Sequence, residues 1–302
     1  MPQMTPHISY DAIKRGELVA EGKTKRIFTA QEHSNLAVVA YKNDITAFDN
    51  PDFTKQFATK AEYSNTTNAA VFELLHHAGI PTGFKKKISA TEFVTEKCTM
   101  IPLEVVARRY AVGSYLNRHP EYKVASGEEP HRFDTVIAEF FLKTTKGGLK
   151  TASGETIVSG LDPLKGEEDP YIQNPFDAEW HLLHPKKKEA EASLGRSIEG
   201  SRVASMQYMQ EMERLVKQAF EVLEVFFSQH DFKFIDFKIE FGITTEGRLV
   251  IADVIDNDSW RLRDENWEDL SKQSFRDGQP LSEVEVKYGR VARLLESSLQ
   301  QR

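Results

Sequence analysis

The stretch FIDFKIEFG, residues 234–242, alternates apolar and charged side chains along its length. Because successive side chains of a β-strand point to opposite faces of a sheet, this pattern predicts a strand with one apolar and one charged face. The apolar face carries Ile235, Phe237, Ile239 and Phe241. The charged face carries Asp236, Lys238 and Glu240. We expect the apolar face to pack on a core, which leaves the charged face to line a site.

A turn around ITTEG follows this strand and leads to a second apolar run, RLVIADVID. If Ile243 pairs with Arg248 across a four-residue turn, Asp253 lies opposite Lys238 and diagonal to Glu240. Two carboxylates and a lysine then share one patch of the predicted hairpin.

This patch suits Mg²⁺, which binds few carboxylates and keeps water or phosphate in its other coordination positions. Glu240 and Asp253 are the candidate ligands, and Lys238 between them is placed to hold a phosphate oxygen. A salt-bridged, solvent-exposed hairpin face is the commoner outcome for an arbitrary charged strand. The polar continuation DNDSWR, residues 256–261, favours a site, because it directly follows a run that is expected to be buried.

The segment EGKTKRIF, residues 21–28, nearly matches a Walker A loop. However, Gly16 precedes Gly22 by one residue too many, and the flanking segments have strand patterns where that motif needs a helix. We therefore predict a β-hairpin in which glycine lets the backbone approach a triphosphate and Lys23 and Lys25 offset its charge. For an isolated GKTK, a surface turn with two solvated lysines is the commoner structure.

Three arginines lie beside a Gly-Ser turn in IPLEVVARRYAVGSYLNR. These residues are Arg108, Arg109, Arg118, Gly113 and Ser114. Because a guanidinium binds planar anions through two parallel hydrogen bonds, the set predicts a phosphate or carboxylate site. One such arginine alone would more commonly be a helix-surface residue. The apolar run FFLK adds a strand that ends in Lys143.

The length of 302 residues favours two lobes. We expect a β-rich lobe over residues 1–103, with a meander formed by LVA, RIFTA and LAVVAYK and a helix over residues 65–78 that Gly79 and Pro81 end. The apolar residues 100–103 would link it to the second lobe.

The second predicted lobe spans residues 104–302 and mixes helices with strands. Its segment 144–202 is rich in Gly, Ser, Thr, Lys and Pro, which predicts a long irregular excursion of the kind that forms lids. Apolar periodicity predicts helices within residues 201–229 and 283–299. The overall fold class is therefore α+β.

The composition excludes several classes of protein. A net charge of −7 argues against a general nucleic-acid or membrane-surface protein, which usually carries excess Lys and Arg. Cys98 is the only cysteine, so the chain has no intrachain disulfide and no four-thiolate zinc site. The start, MPQMTPHISY, lacks a secretory-signal pattern, and no run of eighteen apolar residues occurs. We therefore expect a cytoplasmic protein.

Together these stretches resemble the family of phosphoribosylaminoimidazole-succinocarboxamide synthases, also called SAICAR synthetases. The matching motifs, in the family's order, are EGKTKRIF, KNDITAFD, AGIPT, IPLEVVARRYAVGSYLNR, FFLK, DPYI, DFKIEFG, ADVIDNDSWRL and KQSFRD. The resemblance implies a two-lobed α+β fold with antiparallel sheets in both lobes and a nucleotide cleft like those of protein kinases and ATP-grasp enzymes. It also implies three substrates: ATP with Mg²⁺, a carboxylated aminoimidazole ribotide, and L-aspartate.

The resemblance assigns roles to residues position by position. ATP binding falls to Lys23, Lys25, Met100, Lys238, Glu240 and Asp253. The metal ligands are Glu240 and Asp253. Ribotide binding falls to Arg108, Ser114 and Arg261, and the reaction centre to Lys143, Asp236 and Lys238. The implied activity is ATP-dependent ligation of aspartate to the ribotide carboxylate through an acyl phosphate, in purine biosynthesis.

The chain departs from the family pattern in the segment 144–202, which is longer than in compact family members and leaves Trp180, Lys186 and Lys187 without assigned roles. Some relatives also carry a fused carboxylase, for which residues beyond Arg302 would be needed, so we expect the ligation alone. A homo-oligomer is compatible with the sequence. Two alternatives stay open, a phosphotransferase with a hydroxyl acceptor and a non-catalytic nucleotide sensor.

Overall fold

The structure is a computed structural model that describes residues 9–46 and 51–300. The end of the motif KNDITAFD, residues 47–49, lies outside the described residues. No helix in the described ranges is long and apolar enough to cross a membrane.

The first third of the chain forms a five-stranded antiparallel sheet and one long helix. Its elements are β1 (Arg15–Glu21), β2 (Lys25–Ala30), β3 (His33–Tyr41), β4 (Asp44–Thr46), β5 (Thr54–Gln56), α1 (Lys60–His77), β6 (Phe84–Lys87) and β7 (Glu92–Glu96). The sheet has the order β1-β2-β3-β7-β6, and β4 pairs with β5 as a separate ribbon. The predicted meander is confirmed, because its three runs fall in β1, β2 and β3.

Helix α1 confirms the helix predicted for residues 65–78, although it begins five residues earlier, at Lys60, and ends at His77. Gly79 adopts φ +75°, and its N–H donates to the carbonyl of His76 over 2.9 Å. The N–H of Ile80 donates to the carbonyl of Leu75 over 3.0 Å. These two bonds form a Schellman motif, in which a left-handed glycine satisfies the last helical carbonyls and turns the chain away.

The rest of the chain forms a larger sheet with helices packed on it. Its elements are β8 (Cys98–Tyr110), α2 (Tyr115–Arg118), β9 (Arg132–Leu142), β10 (Leu149–Lys150), β11 (Thr156–Val158), β12 (Tyr171–Ile172), β13 (Glu179–Leu183), β14 (Ser193–Glu199), α3 (Met206–Ser228), β15 (Lys233–Thr244), β16 (Leu249–Ala252), β17 (Trp260–Arg263), α4 (Gln273–Arg276) and α5 (Leu281–Gln300). The eight-stranded sheet has the order β14-β13-β12-β9-β8-β15-β16, and β17 also pairs with β15. All of its strand pairs are antiparallel, as predicted.

Residues 100–103, which we predicted to link the lobes, lie within the uninterrupted strand β8, and their role as a hinge remains a prediction. The chain passes from the smaller to the larger sheet at Lys97, between β7 and β8, three residues before this stretch. The division into lobes of residues 1–103 and 104–302 remains a prediction.

The irregular structure expected across residues 144–202 is interrupted by five strands, β10 to β14. Strands β12, β13 and β14 lie in this segment and extend the larger sheet beyond β9. Trp180 and Leu182 on β13 are buried. Short apolar runs between the prolines and glycines of this segment therefore form strands. A role of the segment as a lid remains a prediction.

Helix α3 packs on the larger sheet and fixes the position of β15. The hydroxyl of Ser205 accepts a hydrogen bond from the N–H of Tyr208 over 3.2 Å and caps the start of the helix. The ring of Phe220 lies 4.8 Å from that of Phe234 and 5.8 Å from that of Phe237 between ring centroids. Such aromatic contacts add to the burial of apolar area that holds helix and strand together.

A buried polar network joins α1, α5 and the loop after β16. The fully buried Lys60 donates to the hydroxyl of Ser64 over 2.8 Å and lies 3.5 Å from Asp258. Tyr288 donates its hydroxyl to Asp258 over 2.6 Å, and Lys272 lies 3.3 Å from the same carboxylate. Burial alone would raise the pKa of Asp258, but Lys60, Lys272 and Tyr288 hold it well below its usual value.

Replacing Tyr288 with Phe should lower the free energy of unfolding by about 1.5–3 kcal/mol, because the buried carboxylate loses a charge-assisted hydrogen bond. Urea unfolding of both proteins measures the difference. Val286→Ala on the same helix is the matched control, because Val286 is 64% exposed and should change stability by less than about 0.5 kcal/mol. Equal stability of Tyr288→Phe and the unmodified chain would contradict the network.

The low pKa of Asp258 makes its contribution to stability dependent on pH. A carboxylate whose pKa falls on folding stabilises the folded state above its unfolded pKa, about 3.9, and loses that contribution as the pH falls through the folded value. The difference in unfolding free energy between the unmodified chain and Asp258→Asn should therefore be full near neutral pH and should shrink in acid. Denaturant titrations over this range test it, and a difference independent of pH would refute the assignment.

Candidate active site

The charged face of β15 is continuous with neighbouring side chains of β8. In the sheet register Asp236 lies opposite Arg108, and Glu240 lies opposite Glu104. Directly opposite residues of antiparallel strands point to the same side of a sheet, so these side chains share one face. The predicted alternation is thus confirmed from Asp236 onward. The apolar face carries the buried residues Phe237, Ile239 and Phe241.

The first residues of β15 do not follow the predicted alternation. The pairing with β17 shifts between Phe234 and Asp236, as at a β-bulge. An extra residue at a bulge changes the face on which the following side chains lie. Consequently Phe234 packs on α3, and Ile235, which we expected on the apolar face, lines a cavity beside Arg261.

A cleft of about 300 Å³ opens on the charged face. Its basic lining residues are Lys23, Lys25, Lys238, Lys272 and Arg276. Its acidic lining residues are Glu104, Glu240, Asp253 and Asp258. The cleft therefore combines five of the predicted site residues, drawn from the β1–β2 hairpin and from the β15–β16 region. A larger cavity of about 650 Å³ beside α5 contains none of the predicted site residues.

Glu240 and Lys143 form an ion pair at the edge of this cleft. The Nζ atom of Lys143 lies 2.5 Å from Oε1 of Glu240. Burial and the charge of Asp253 raise the pKa of Glu240, although Lys143 opposes that shift. Burial alone would lower the pKa of Lys143, but the carboxylate of Glu240 raises it overall. The neighbouring carboxylates thus create a negative potential that favours a bound cation.

The predicted register of the β15–β16 hairpin is wrong by one residue. Ile243 pairs with Leu249 instead of Arg248, so a continued strand would turn Asp253 to the apolar face. Instead β16 ends before this residue, and Asp253 adopts φ +60°. Its carboxylate lines the cleft and contacts the ammonium group of Lys25. Both carboxylates therefore lie in the cleft, although the register differs.

The hairpin turn explains the different register. The N–H of Thr244 donates to the carbonyl of Arg248, and the N–H of Gly247 donates to the carbonyl of Thr244, each over 2.9 Å. Gly247 adopts φ +79°, so the loop has three residues and ends in a left-handed glycine. This is a common hairpin connection, and it moves the register by one position relative to a four-residue loop.

The donor set at the cleft fits Mg²⁺. In the described part of the chain, no group of three or more His, Cys, Asp and Glu side chains is arranged to hold a metal ion. Glu240 and Asp253 supply two carboxylates, each now neutralised by a lysine. Mg²⁺ usually takes one or two carboxylates and completes its coordination with water and substrate phosphate. The assignment of both residues as ligands remains a prediction.

The predicted nucleotide residues lie in two places. The N–H of Gly22 donates to the carbonyl of Lys25 over 2.8 Å and closes the β1–β2 hairpin, which brings Lys23 to the cleft. Met100 is 41% exposed on β8, outside the cleft lining, and lies opposite Gly242. A Cβ atom at position 242 would lie 3.3 Å from Sδ of Met100 and 2.6 Å from Cβ of Cys98, so this close approach requires glycine.

The predicted ribotide residues lie further along the same face. Asp236 accepts from Nη1 of Arg108 over 3.1 Å and from Nη1 of Arg261 over 2.5 Å. Gly113, at φ +60°, packs on the Arg261 guanidinium, where a Cβ atom would lie 2.5 Å from Nη2. Ser114 follows and is half-buried. A cavity of about 420 Å³ lies here, and its lining includes Arg261 and Gly113 but not the buried Arg108.

Two further basic residues line the cleft without a predicted role, Lys272 and Arg276. Lys272 approaches Asp258 at 3.3 Å, and Arg276 donates to Gln273 over 3.4 Å. The motif KQSFRD places the two side chains four residues apart, at a spacing that puts them on one side of a helical turn. The four-residue spacing could have indicated that the two side chains act together. Their distance in sequence from β15 gave no sign that they line the same cleft as its residues.

The sequence and fold of this chain are similar to those of known proteins. The sequence profile described as SAICAR synthetase matches residues 18–168 and 182–294. The chain is 37% identical over 270 residues to the probable multifunctional protein ADE2 of Caenorhabditis elegans, covering 88% of the chain and 54% of that relative. It therefore spans about half the length of that relative. It is 34% identical over 287 residues to the phosphoribosylaminoimidazole-succinocarboxamide synthase of Chloroflexus aurantiacus, covering 92% of the chain and 96% of that protein.

Solved structures show the same fold. A SAICAR synthetase (Type-2) in complex with ADP has a TM-score of 0.69 and 24% identity, covering 92% of this chain and 97% of that one. The SAICAR-synthase of Saccharomyces cerevisiae complexed with SAICAR has a TM-score of 0.59 and 16% identity, covering 92% and 94%. The profile match across most of the sequence and the similarity to a Chloroflexus protein over nearly its whole length show that this chain belongs to the SAICAR synthetase family.

Proposed function

We propose that this chain joins L-aspartate to the carboxylate of 5-amino-1-(5-phosphoribosyl)imidazole-4-carboxylate with consumption of ATP, giving SAICAR, ADP and phosphate in purine biosynthesis. The observation that carries the proposal is the cleft in which Glu240 and Asp253 lie among basic side chains. Three anionic reactants repel one another, so a site that gathers them needs this concentration of positive charge. The Chloroflexus relative bears the name of this activity.

Two family structures support the choice of ligands. One carries ADP and another carries SAICAR, and both share the fold of this chain. By analogy, we propose that this chain has a nucleotide site and an adjacent ribotide site. The C. elegans relative is longer than this chain and is called multifunctional; the activity proposed for this chain is the ligation.

The nucleotide would occupy the cleft under the β1–β2 hairpin. Lys23 and Lys25 reach the triphosphate from this hairpin, as ammonium groups do in other phosphoryl-transfer sites. Met100, exposed on β8, offers an apolar and polarisable contact for the adenine ring. Because Lys25 now pairs with Asp253, nucleotide binding would exchange this ion pair for contacts to phosphate.

Glu240 and Asp253 would hold Mg²⁺, which when bound neutralises charge on the β- and γ-phosphates. Both residues need to be ionised for this role. Lys143, which now contacts Glu240, stays protonated because the carboxylate raises its pKa. It is thereby available to balance negative charge on the phosphoryl group during transfer, together with Lys238 of the same face.

The chemistry requires activation of the ribotide carboxylate, because an amine cannot expel oxide from a carboxylate. We propose that a carboxylate oxygen attacks the γ-phosphorus and ADP leaves, which gives an acyl phosphate. The amine of aspartate then attacks the acyl carbon, phosphate leaves, and the nitrogen loses a proton as the amide forms. Lys143 and Lys238 flank this reaction centre, and Asp236 orients Arg261 beside it.

The ribotide would bind along the other part of the charged face. Arg261 lines the cavity there, and Gly113 and Ser114 offer backbone N–H groups and a hydroxyl. An arginine can bind a phosphate or carboxylate through two parallel hydrogen bonds. Arg108 lies behind Arg261 and shares Asp236 with it. We therefore assign the anionic group of the ribotide to Arg261.

The direct test is to incubate the chain with ATP, Mg²⁺, the carboxylated ribotide and aspartate, and to detect the product by mass spectrometry. We expect a succinylated amide together with stoichiometric ADP, and no amide when aspartate or ATP is omitted. Full ADP release that is independent of aspartate, with a phosphorylated product, would instead indicate a phosphotransferase. Nucleotide binding without any turnover would indicate a sensor.

Replacing Asp253 with Asn should reduce kcat by at least about a hundredfold, because a charged ligand is lost from the phosphoryl-transfer site. Asn tolerates the left-handed backbone of this position, so the change tests the charge and not the conformation. Steady-state kinetics and calorimetric titration with the ribotide separate turnover from ribotide affinity, which should change little. Asp134→Asn, at an exposed position on β9, is the control. Near-normal turnover of Asp253→Asn would eliminate the metal role.

A further inference from the structure

A row of five charged side chains crosses the polar face of the larger sheet. In order they are Arg118, Glu139, Arg108, Asp236 and Arg261. Arg118 contacts Oε1 of Glu139, and Arg108 approaches Oε2 of the same carboxylate at 2.6 Å through Nη2 and 2.7 Å through Nε. Asp236 then joins Arg108 to Arg261, as described above. Each carboxylate is therefore shared by two arginines.

Burial makes this row rigid. Arg108 is 2% exposed and Glu139 is 3% exposed, whereas the side chain of Arg261 is 26% exposed and lines the cavity. Burial alone would raise the pKa of Glu139, but Arg108 and Arg118 hold it below its usual value, so the carboxylate is ionised at neutral pH. A buried charge without its partner is strongly unfavourable, so the members of the row hold one another in place.

The sheet register explains why the row reaches the site. Asp236 lies opposite Arg108 on one side of β8, and Glu139 lies opposite Val106 on the other side. Glu139 is thus diagonal to Arg108, within reach of its long side chain. At the far end, Nη1 of Arg118 donates to the carbonyl of Pro185 over 2.5 Å, which ties the segment 144–202 to the row.

We infer that Glu139 is a positioning residue for ribotide binding. It fixes the guanidinium of Arg108, which fixes Asp236, and Asp236 sets the orientation in which Arg261 meets the anionic group of the ribotide. Glu139 itself lies away from both cavities. The inference rests on the proposed function, because it assigns Arg261 to the ribotide. It also predicts that a substitution at Glu139 weakens binding of the ribotide and leaves binding of the nucleotide unchanged.

The chain contains a matched control pair on the other face of the same strand. Arg109 follows Arg108 on β8 and is buried against α3, where Nε and Nη2 donate to Glu224 over 2.8 and 2.7 Å. Glu224→Gln removes a carboxylate from an arginine of β8 just as Glu139→Gln does. It differs in that Arg109, within the described ranges, pairs with Glu224 and the carbonyl of Asp134 and forms no hydrogen bond or ion pair with Asp236 or Arg261.

The test compares Glu139→Gln, Glu224→Gln and the unmodified chain by steady-state kinetics and ribotide calorimetry. We expect Glu139→Gln to raise KM and the dissociation constant for the ribotide at least about tenfold, with KM for ATP within about twofold. Glu224→Gln should leave both constants within about twofold. If Glu139→Gln changes neither constant, or changes ribotide and ATP constants equally, the inference is overturned.

A second variant covers the case in which Glu139→Gln does not fold. The double variant Arg118→Met/Glu139→Gln removes one positive and one negative charge, so the buried region keeps its net charge. It leaves Arg108 without Glu139 and should show the same selective loss of ribotide affinity. A double variant with unchanged ribotide affinity would refute the inference. An unmodified chain that forms no succinylated amide would instead refute the proposed function, and this inference with it.

Discussion

The site depends on strand β15 turning its apolar side chains to the core and its charged side chains to the opposite face of the sheet. Its apolar side chains, among them Phe237, Ile239 and Phe241, pack on the helix α3 side and supply the burial that fixes the strand. The alternating side chains Asp236, Lys238 and Glu240 therefore lie on the other face. A strand buried on both faces would have to neutralise Lys238 and Glu240 internally. Because its two faces differ in this way, β15 packs on the core with one face and lines the polar cleft with the other.

The charges of the cleft are arranged as pairs that substrates can replace. Lys25 contacts Asp253, Lys143 contacts Glu240, and both pairs border space that can admit an anion and a cation together. Exchange of a protein ion pair for a phosphate and a metal keeps each charge compensated, so it avoids the cost of an unpaired buried charge. Further along the face, Arg108 forms buried ion pairs with Glu139 and Asp236, and these pairs stay fixed. The same sheet thus combines exchangeable contacts with a rigid support.

The sequence predicted much of this arrangement, and the failures have identifiable physical causes. Alternation along β15 and the Gly-Pro end of α1 are local signals, so both appeared in the sequence. The hairpin register depended on whether Gly247 would close a three-residue loop, and the face of Asp253 depended on one left-handed residue. Neither follows from periodicity. The partnership of Arg118 with Glu139 joins residues that only the fold brings together, and Lys272 reached the cleft for the same reason.

The central claim is that the polar face of β15 gathers the anionic reactants around a cation. A crystal structure of the chain with Mg²⁺ and a non-hydrolysable ATP analogue tests it most directly. The account predicts the triphosphate in the cleft of about 300 Å³, the metal bound by Glu240 and Asp253, and Lys25 moved from Asp253 to a phosphate oxygen. A nucleotide bound elsewhere, or a metal held without either carboxylate, would contradict it.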